Sequence, residues 1–536
     1  MSHPIGIDLG TTFSAIAKWE VKPSSTGPNV YNNPTENTSG GSPTLASKVY
    51  FPDINSKDRP VVGTPALQQG VIKPNLYFSA FKREMDSNAI IEREGGFQIT
   101  PVELSAIVLE KLLSTAEKEE GPGTWVPDGV VVSVPAYFNQ NQNRNTVDAI
   151  KMALRHQFEG RKGFNEDIFI RLIPEPVAAG LDYVFDHPNE IKGHKKIVIF
   201  DLGGGTFDIT IFEVDNDLKN KKITFTTLAT DGNARLGGED FDRTLKKYII
   251  EDEGYKEDEM SSEGKALLIQ RCTGLKCDLT SLEQAEISVP YIIGTQHLNR
   301  VVERREFDDC MSGQLGEKID YIADINDCMD HAFQMSGLHV NDIDYCILIG
   351  GSSKIPCIRS ILEQRFSTNK VVVGNIGLGV VRGASLIAAF ELDRKLKEQG
   401  KSAKYMNKWD EIVIKENTAH NLGIKTNRGY TTIIRQNAAT PARGIRTFTP
   451  MSLNEDGTKA LLPLIEVYQG GGNKWAHVGD VEIPVIYTHG RKPNEIMIQV
   501  EFIAESTQVH TKIIVEQGNQ DKTDLIVTKP LDLSGR

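Results

Sequence analysis

Over residues 1–393 the apolar positions alternate between two rhythms. The runs IGIDLG (5–10), GVVVSVP (129–135), KIVIFDLG (196–203), ITIFEV (209–214) and YCILIGG (345–351) have strand length and β-branched content. PVELSAIVLEKLLSTAEK (101–118), RNTVDAIKMALRHQF (144–158) and GEDFDRTLKKYII (238–250) instead repeat apolar residues at helical spacing. This alternation predicts α/β layers. Over 418–536 the helical rhythm is lost. IKTNRGYTTIIRQ, LLPLIEVYQ, EIMIQVEFIA and HTKIIVEQ are short strand-like runs between Gly, Asn, Asp and Pro turns, which predicts an all-β domain. Between the two lies 394–417, a charged stretch that ends in EIVIKEN. A tether is expected to be polar. Ile412, Val413 and Ile414 therefore read either as the first strand of the β domain or as a linker with an apolar purpose.

With 536 residues the chain exceeds one ordinary core, so several structural units are expected. The longest apolar runs are far short of a membrane span. The N-terminus enters a strand without a charged-then-apolar leader, so a cytoplasmic protein is the default expectation. A formal net charge of −12 argues against a general nucleic-acid binder. The six cysteines form no CxxC pair and lack zinc-site spacing, so they are expected to be free thiols in a reducing compartment.

Candidate chemistry concentrates at two related glycine turns. GIDLGTTFSAIA gives strand, Asp8, Gly10, Thr11, Thr12, Phe13 and a second strand. FDLGGGTFDITI gives strand, Asp201, Gly203, Gly204, Gly205, Thr206 and a second strand. Neither is a GxxxxGK[ST] loop, and neither opens a helix, so each reads as a hairpin with a tight bend. Glycines let backbone N–H groups face an oxyanion without a Cβ in the way. Two such hairpins can clamp a polyphosphate from both sides, and Asp8 and Asp201 beside it imply an intervening Mg²⁺, held mainly through water. A third element, CILIGGSSKIP, places Gly350, Gly351, Ser352 and Lys354 before a helical pattern, a start that favours anions.

These segments resemble the actin-like ATPase superfamily and, within it, the DnaK-type 70-kDa heat-shock chaperones. The resemblance rests on IGIDLGTTFS (5–14), VVSVPAYFNQNQ (131–142), IRLIPEPVAAGLDY (170–183), FDLGGGTFDITI (200–211), LGGEDFD (236–242), LIGGSSKIP (348–356) and NLGIKTNRGYTTIIRQNAATPARGIRTFT (421–449). It implies an α/β actin-like two-lobed ATPase domain (1–393), a charged segment and apolar interdomain linker (394–417), and a β-sandwich peptide-binding domain (418–536) without a helical lid. The implied activity is hydrolysis of Mg-ATP to ADP and phosphate, coupled to binding of short apolar peptide segments. The alternative is a regulatory or degenerate relative with weak ATPase that acts through partners. By resemblance Lys82, Glu175, Asp201 and Thr206 are catalytic, and Asp8 and Asp201 orient the Mg²⁺ shell. The nucleotide is held by Gly10, Thr11, Thr12, Phe13, Gly203, Gly204, Gly205, Gly238, Lys276, Thr280, Gly350, Gly351, Ser352 and Lys354. Pro135 matches a proline that switches with nucleotide state.

The adenosine end departs from the family pattern. Thr273, Cys277 and Lys354 replace a glutamate and two arginines, and lysine lacks the planar stacking surface of arginine. A weaker grip on the base is expected. Ile424, Phe448 and Ile465 match positions that line the peptide cleft, and Pro463 falls near its centre. Arg171 and Glu416 match positions used with J-domain cochaperones, and a nucleotide exchange factor is implied as well. Burying Ile412, Val413 and Ile414 contributes about 1.5–3 kcal/mol each at most, against the roughly 5.5 kcal/mol needed to swing a two-state equilibrium from 1:99 to 99:1. No nucleic acid or membrane is expected as a partner.

Overall fold

The structure is a computed structural model. It describes residues 3–527 except 23–25, 37–40, 56, 58–59, 88, 407, 461–463, 472–473, 483–485, 488–489, 491, 505–508 and 518–524. The chain divides into two compact units, one of residues 1–136 and 148–413, the other of 137–147 and 414–536.

The first unit holds two six-stranded sheets built to one plan. In the first, Pro4–Asp8 pairs antiparallel with Phe13–Val21, which pairs with Thr26–Val30. On its other side Pro4–Asp8 runs parallel to Gly129–Val134, which is followed by Ile170–Pro174. In the second, Gly193–Leu202 pairs antiparallel with Phe207–Asp217, which pairs with Lys222–Asn233. On its other side lie the parallel strands Tyr345–Ile349 and Val371–Val373. Each sheet thus places its aspartate–glycine bend at the end of a central hairpin. Every residue of GVVVSV is buried, as expected of a parallel strand covered on both faces.

Helix placement follows from small residues and caps. The Pro101–Glu120 helix starts on a Thr100–Glu103 capping box with proline at its first position. The Gly379–Glu398 helix crosses the first sheet where that sheet has no side chain. A Cβ on Gly6 would lie 2.1 Å from the Ser385 nitrogen, and one on Gly383 would lie 1.9 Å from the Ala178 oxygen. Glycine is required at both crossings because backbone meets backbone.

The stretch after that helix is seated on the first unit. Asp393 accepts hydrogen bonds from the Lys404, Tyr405 and Met406 amides. Trp19 Nε1 donates to the Tyr405 carbonyl at 3.1 Å, and Trp409 Nε1 donates to Asn216 Oδ1 at 3.2 Å. Phe185 lies between the two indoles, with ring centroids 5.4 Å from Trp19 and 6.0 Å from Trp409. Asp410 N then donates to the Lys221 carbonyl, and the strand Glu411–Lys415 begins, with Ile412 buried and Val413 half-buried. The unit boundary falls inside this strand, after Val413.

The second unit contains two four-stranded sheets. One orders Gly429–Ile434, Asn421–Thr426, Leu464–Gly471 and Lys474–Glu482. The other orders Ala442–Phe448, Ile496–Ala504, Val509–Gln517 and Leu525–Val527. Leu422, Ile424, Val467 and Val478 from the first sheet share one buried cluster with Ile498, Val500 and Phe502 from the second. Among the described residues no helix is long and apolar enough to cross a membrane.

Candidate functional site

The two glycine turns meet. A Cβ on Gly204 would fall 1.8 Å from Thr12 Oγ1, and one on Gly205 would fall 2.5 Å from Thr11 Oγ1, so only bare backbone fits opposite the two threonines. In the second turn three consecutive carbonyls are occupied. Gly203 O accepts from Gly238 N at 3.0 Å, Gly204 O accepts from Glu239 N at 2.8 Å, and Gly205 O accepts from Arg83 Nε at 2.8 Å. The first two donors are N–H groups at the start of the Gly238–Asp252 helix, which have no partner inside the helix. The first turn is strapped by two serines. Ser47 Oγ donates to Gly10 O at 2.7 Å, Ser47 N donates to Thr12 O at 2.8 Å, and Gly10 N donates to Ser14 Oγ at 3.1 Å.

While these carbonyls are spent, Gly203 N closes its own turn onto the Thr206 carbonyl at 3.0 Å, and further donors of both turns stay unused. Among the described residues the N–H groups of Thr11, Thr12, Gly204 and Gly205 donate to no protein acceptor. The Thr12 hydroxyl oxygen is likewise shielded from solvent with no hydrogen-bond partner among the described residues. Such a concentration of unused donors on glycine backbone is what an oxyanion requires.

Charged groups gather beside the turns. Lys82 Nζ lies 2.7 Å from Glu175 Oε1, and both side chains are buried. Ser133 Oγ donates to Asp8 Oδ1 at 2.8 Å. Loss of hydration pushes the Asp8 carboxyl up to about 7, Glu175 adds to the rise, and Lys82 opposes it. Asp201 is raised well above the usual carboxylate range by burial, then by Glu175, Asp208 and Asp8, again with Lys82 opposing. Four carboxylates thus share one ammonium, an imbalance that suits a divalent cation. Among the described residues no group of three or more His, Cys, Asp or Glu is arranged to hold a metal directly. The donor set suits a divalent cation that takes most of its ligands from water and a bound anion, the coordination Mg²⁺ prefers. Thr206, at the end of the second turn, is buried, whereas Phe13 is exposed.

The third glycine element joins the same place. A Cβ on Gly350 would strike the Leu202 carbonyl and lie 2.6 Å from Asp201 Oδ1, and Gly350 has φ of 75°. Ser352 Oγ and Lys276 Nζ would lie 2.6 and 2.9 Å from a Cβ on Gly238, so these three residues converge. Lys276 is already engaged: Nζ donates to Gly238 O at 2.7 Å and lies 2.7 Å from Asp242 Oδ1. Thr273 Oγ1 donates to Asp242 Oδ2 at 2.8 Å. Thr280 spends its hydroxyl on the Lys276 carbonyl, while Cys277, Gly351 and Lys354 are exposed.

The remaining candidates lie elsewhere. Ile424 belongs to the buried cluster of the second unit and Phe448 packs against that cluster. Pro463 and the Ile465 side chain lie outside the described residues. Arg171 is ion-paired with Glu391, and Glu416 is buried in the second unit. Three residues not anticipated from sequence support the turns. Arg83 reads as half of a solvated Lys-Arg pair, Ser14 only ends the IGIDLGTTFS segment, and Ser47 lies in no motif. The doublet KR beside an apolar FSAF run is the one signal that points to Arg83.

The family model described as Hsp70 protein matches residues 80–502, most of the chain, beginning just before Lys82 and ending in the strand Ile496–Ala504. The match takes in the second glycine turn, the Lys82–Glu175 pair, the first sheet of the second unit and part of the second. The chain belongs to the Hsp70 family.

Proposed function

We propose that this chain is an ATP-dependent molecular chaperone, in keeping with a family whose members are ATPases. The finer reading is an actin-like two-lobed ATPase domain over 1–393, an apolar linker within 394–417 and a β-sandwich peptide-binding domain over 418–536. The observation that carries it is the facing pair of glycine turns, with unused N–H donors and the orphaned Thr12 hydroxyl next to a buried Lys82–Glu175 pair.

Phosphoryl transfer of this type depends on positioning and charge stabilisation rather than covalent chemistry. The amides of Thr11, Thr12, Gly204 and Gly205 hold the phosphate oxygens. Lys82 supplies positive charge to the transferred group, and Glu175 fixes its position. Asp201 and Thr206 orient the attacking water. Mg²⁺, when bound, neutralises phosphate charge and polarises the transferring group. Gly238, Lys276, Gly350, Ser352 and Lys354 border the nucleoside. Because Asp242 already satisfies Thr273 and Lys276, the grip on the base is weaker than the grip on the triphosphate.

Ile412, Val413 and Ile414 couple hydrolysis to peptide binding, with a J-domain cochaperone and an exchange factor as partners. Single-turnover ATP hydrolysis, with and without an extended apolar peptide, tests the reading. Peptide stimulation is expected. Lys82→Ala is expected to lower the rate by about a hundredfold or more. Ile412→Asp with Ile414→Asp is expected to abolish the stimulation. Hydrolysis that ignores both peptide and Lys82→Ala overturns the proposal. Calorimetry with ATP, ADP and GTP tests the weak base grip, which strict preference for adenine would refute.

A further inference from the structure

The Lys82–Arg83 dipeptide sends its two cations in different directions. Lys82 is buried against Glu175, at the start of the Glu175–Asp186 helix beside the first sheet. Arg83 reaches the structure that follows the second sheet. Its Nε donates to the Gly205 carbonyl at 2.8 Å, its Nη1 donates to Asp240 Oδ1 at 3.2 Å, and its Nη2 also binds the Asp240 carboxylate. The guanidinium is nearly buried, and Asp240 almost wholly so. Asp240 in turn accepts from Gly237 N at 2.7 Å, which closes the start of the Gly238–Asp252 helix, and it binds Arg243.

One planar side chain therefore ties three things together: the segment that carries Lys82, the last glycine of the second turn, and the helix whose first N–H groups hold the other two carbonyls of that turn. A three-donor fork is needed, because the carbonyl and both carboxylate oxygens are taken at once. Lysine supplies a single point of charge and cannot span them. Lys48 Nζ, 3.5 Å from Glu239 Oε1, adds a weaker tie from another segment to the start of the same helix.

We infer that Arg83 is a positioning residue of the phosphate site. It fixes the second glycine turn against the segment bearing Lys82, and so sets how long a nucleotide stays bound. This rests on the nucleotide reading proposed above and assigns its retention to a residue that does not touch the phosphates. A loosened site changes affinity mostly through the release rate, because association varies far less among variants.

The test uses the full chain and its Arg83→Lys and Arg83→Met variants. Release of a fluorescent ADP is followed by stopped flow with Mg²⁺ present, and amide exchange of residues 202–208 is followed without nucleotide. Arg83→Lys is expected to release ADP about tenfold faster and to exchange faster at Gly204 and Gly205, while its melting temperature stays near that of the unaltered chain. Arg83→Met is expected to release still faster, and should it fail to fold, Arg83→Lys alone decides. A chain that binds ADP but shows unchanged release and exchange in Arg83→Lys overturns this inference and leaves the nucleotide reading standing. An unaltered chain that binds neither ATP nor ADP overturns both.

Discussion

The two glycine turns have the same place in the same sheet plan, yet they are held by different means. The first, Gly10–Phe13, is fixed from within its own half by Ser14 and Ser47. The second, Gly203–Thr206, is fixed by the start of a helix and by Arg83 from the other half. The difference teaches that repetition supplied two equivalent bends, while the contacts that make them one site run in a single direction. We read the first turn as a rigid wall and the second as adjustable, because the second is held by residues of distant segments.

Substitutions can break this contrast, and the largest effect is expected at the rigid wall. A Cβ on Gly10 would lie 2.0 Å from the Phe13 carbonyl oxygen, with no side chain able to yield. Gly10→Ala is expected to weaken ATP binding by about a hundredfold and to cost roughly 2–3 kcal/mol of stability, measured by calorimetry and denaturant melts. Near-normal binding would show that the first turn is the adjustable one. Next comes Gly237→Ala, whose Cβ would lie 2.7 Å from Gly205 N. Here the second turn can shift, so affinity is expected to fall by about tenfold with a smaller stability loss. A loss equal to that of Gly10→Ala would erase the distinction.

Smaller changes sharpen it. Ser47→Ala removes the donor to Gly10 O and the partner of Ser14 Oγ at 2.8 Å. A stability loss of about 1–2 kcal/mol is expected, as for a buried hydrogen bond whose partners stay behind, with ATP affinity reduced in step. Thr12→Val is the subtlest case. The hydroxyl has no partner among the described residues, so its removal is expected to leave stability unchanged or raise it by up to about 1 kcal/mol. ATP affinity is expected to fall severalfold at the same time. Opposite signs in a thermal melt and in calorimetry mark a group kept for a ligand. Equal signs would make it an ordinary structural hydroxyl.

What could be read from the chain follows how local each signal is. The glycine turns, the aspartates and the strand–helix alternation are written in contiguous residues, and the structure sets them in matching places. Lys82 and Glu175 are 93 positions apart; a family pattern singles out each of them, but no local rule shows that they pair. Arg83 was invisible because a Lys-Arg doublet looks solvated until its partner, 157 positions away, is known. The stretch 401–410 reads as part of a charged segment because of its three lysines, yet Tyr405 and Trp409 find Trp19, Asp128 and Asn216 in distant segments. Ile424 shows the converse limit. Alternation placed it on a strand, but which face of that strand meets the core depends on the partner sheet.

The seating of Trp409 has an optical consequence. Trp19 and Trp409 are two of the chain's four tryptophans, and both indoles are almost fully shielded from water. Both belong to the aromatic stack that seats residues 401–410, so their emission reports directly on that stretch. If it lifts away before the sheets unfold, emission shifts to the red while far-ultraviolet dichroism stays constant. The unmodified chain thus carries its own signal for the moment when the approach to Ile412 comes free.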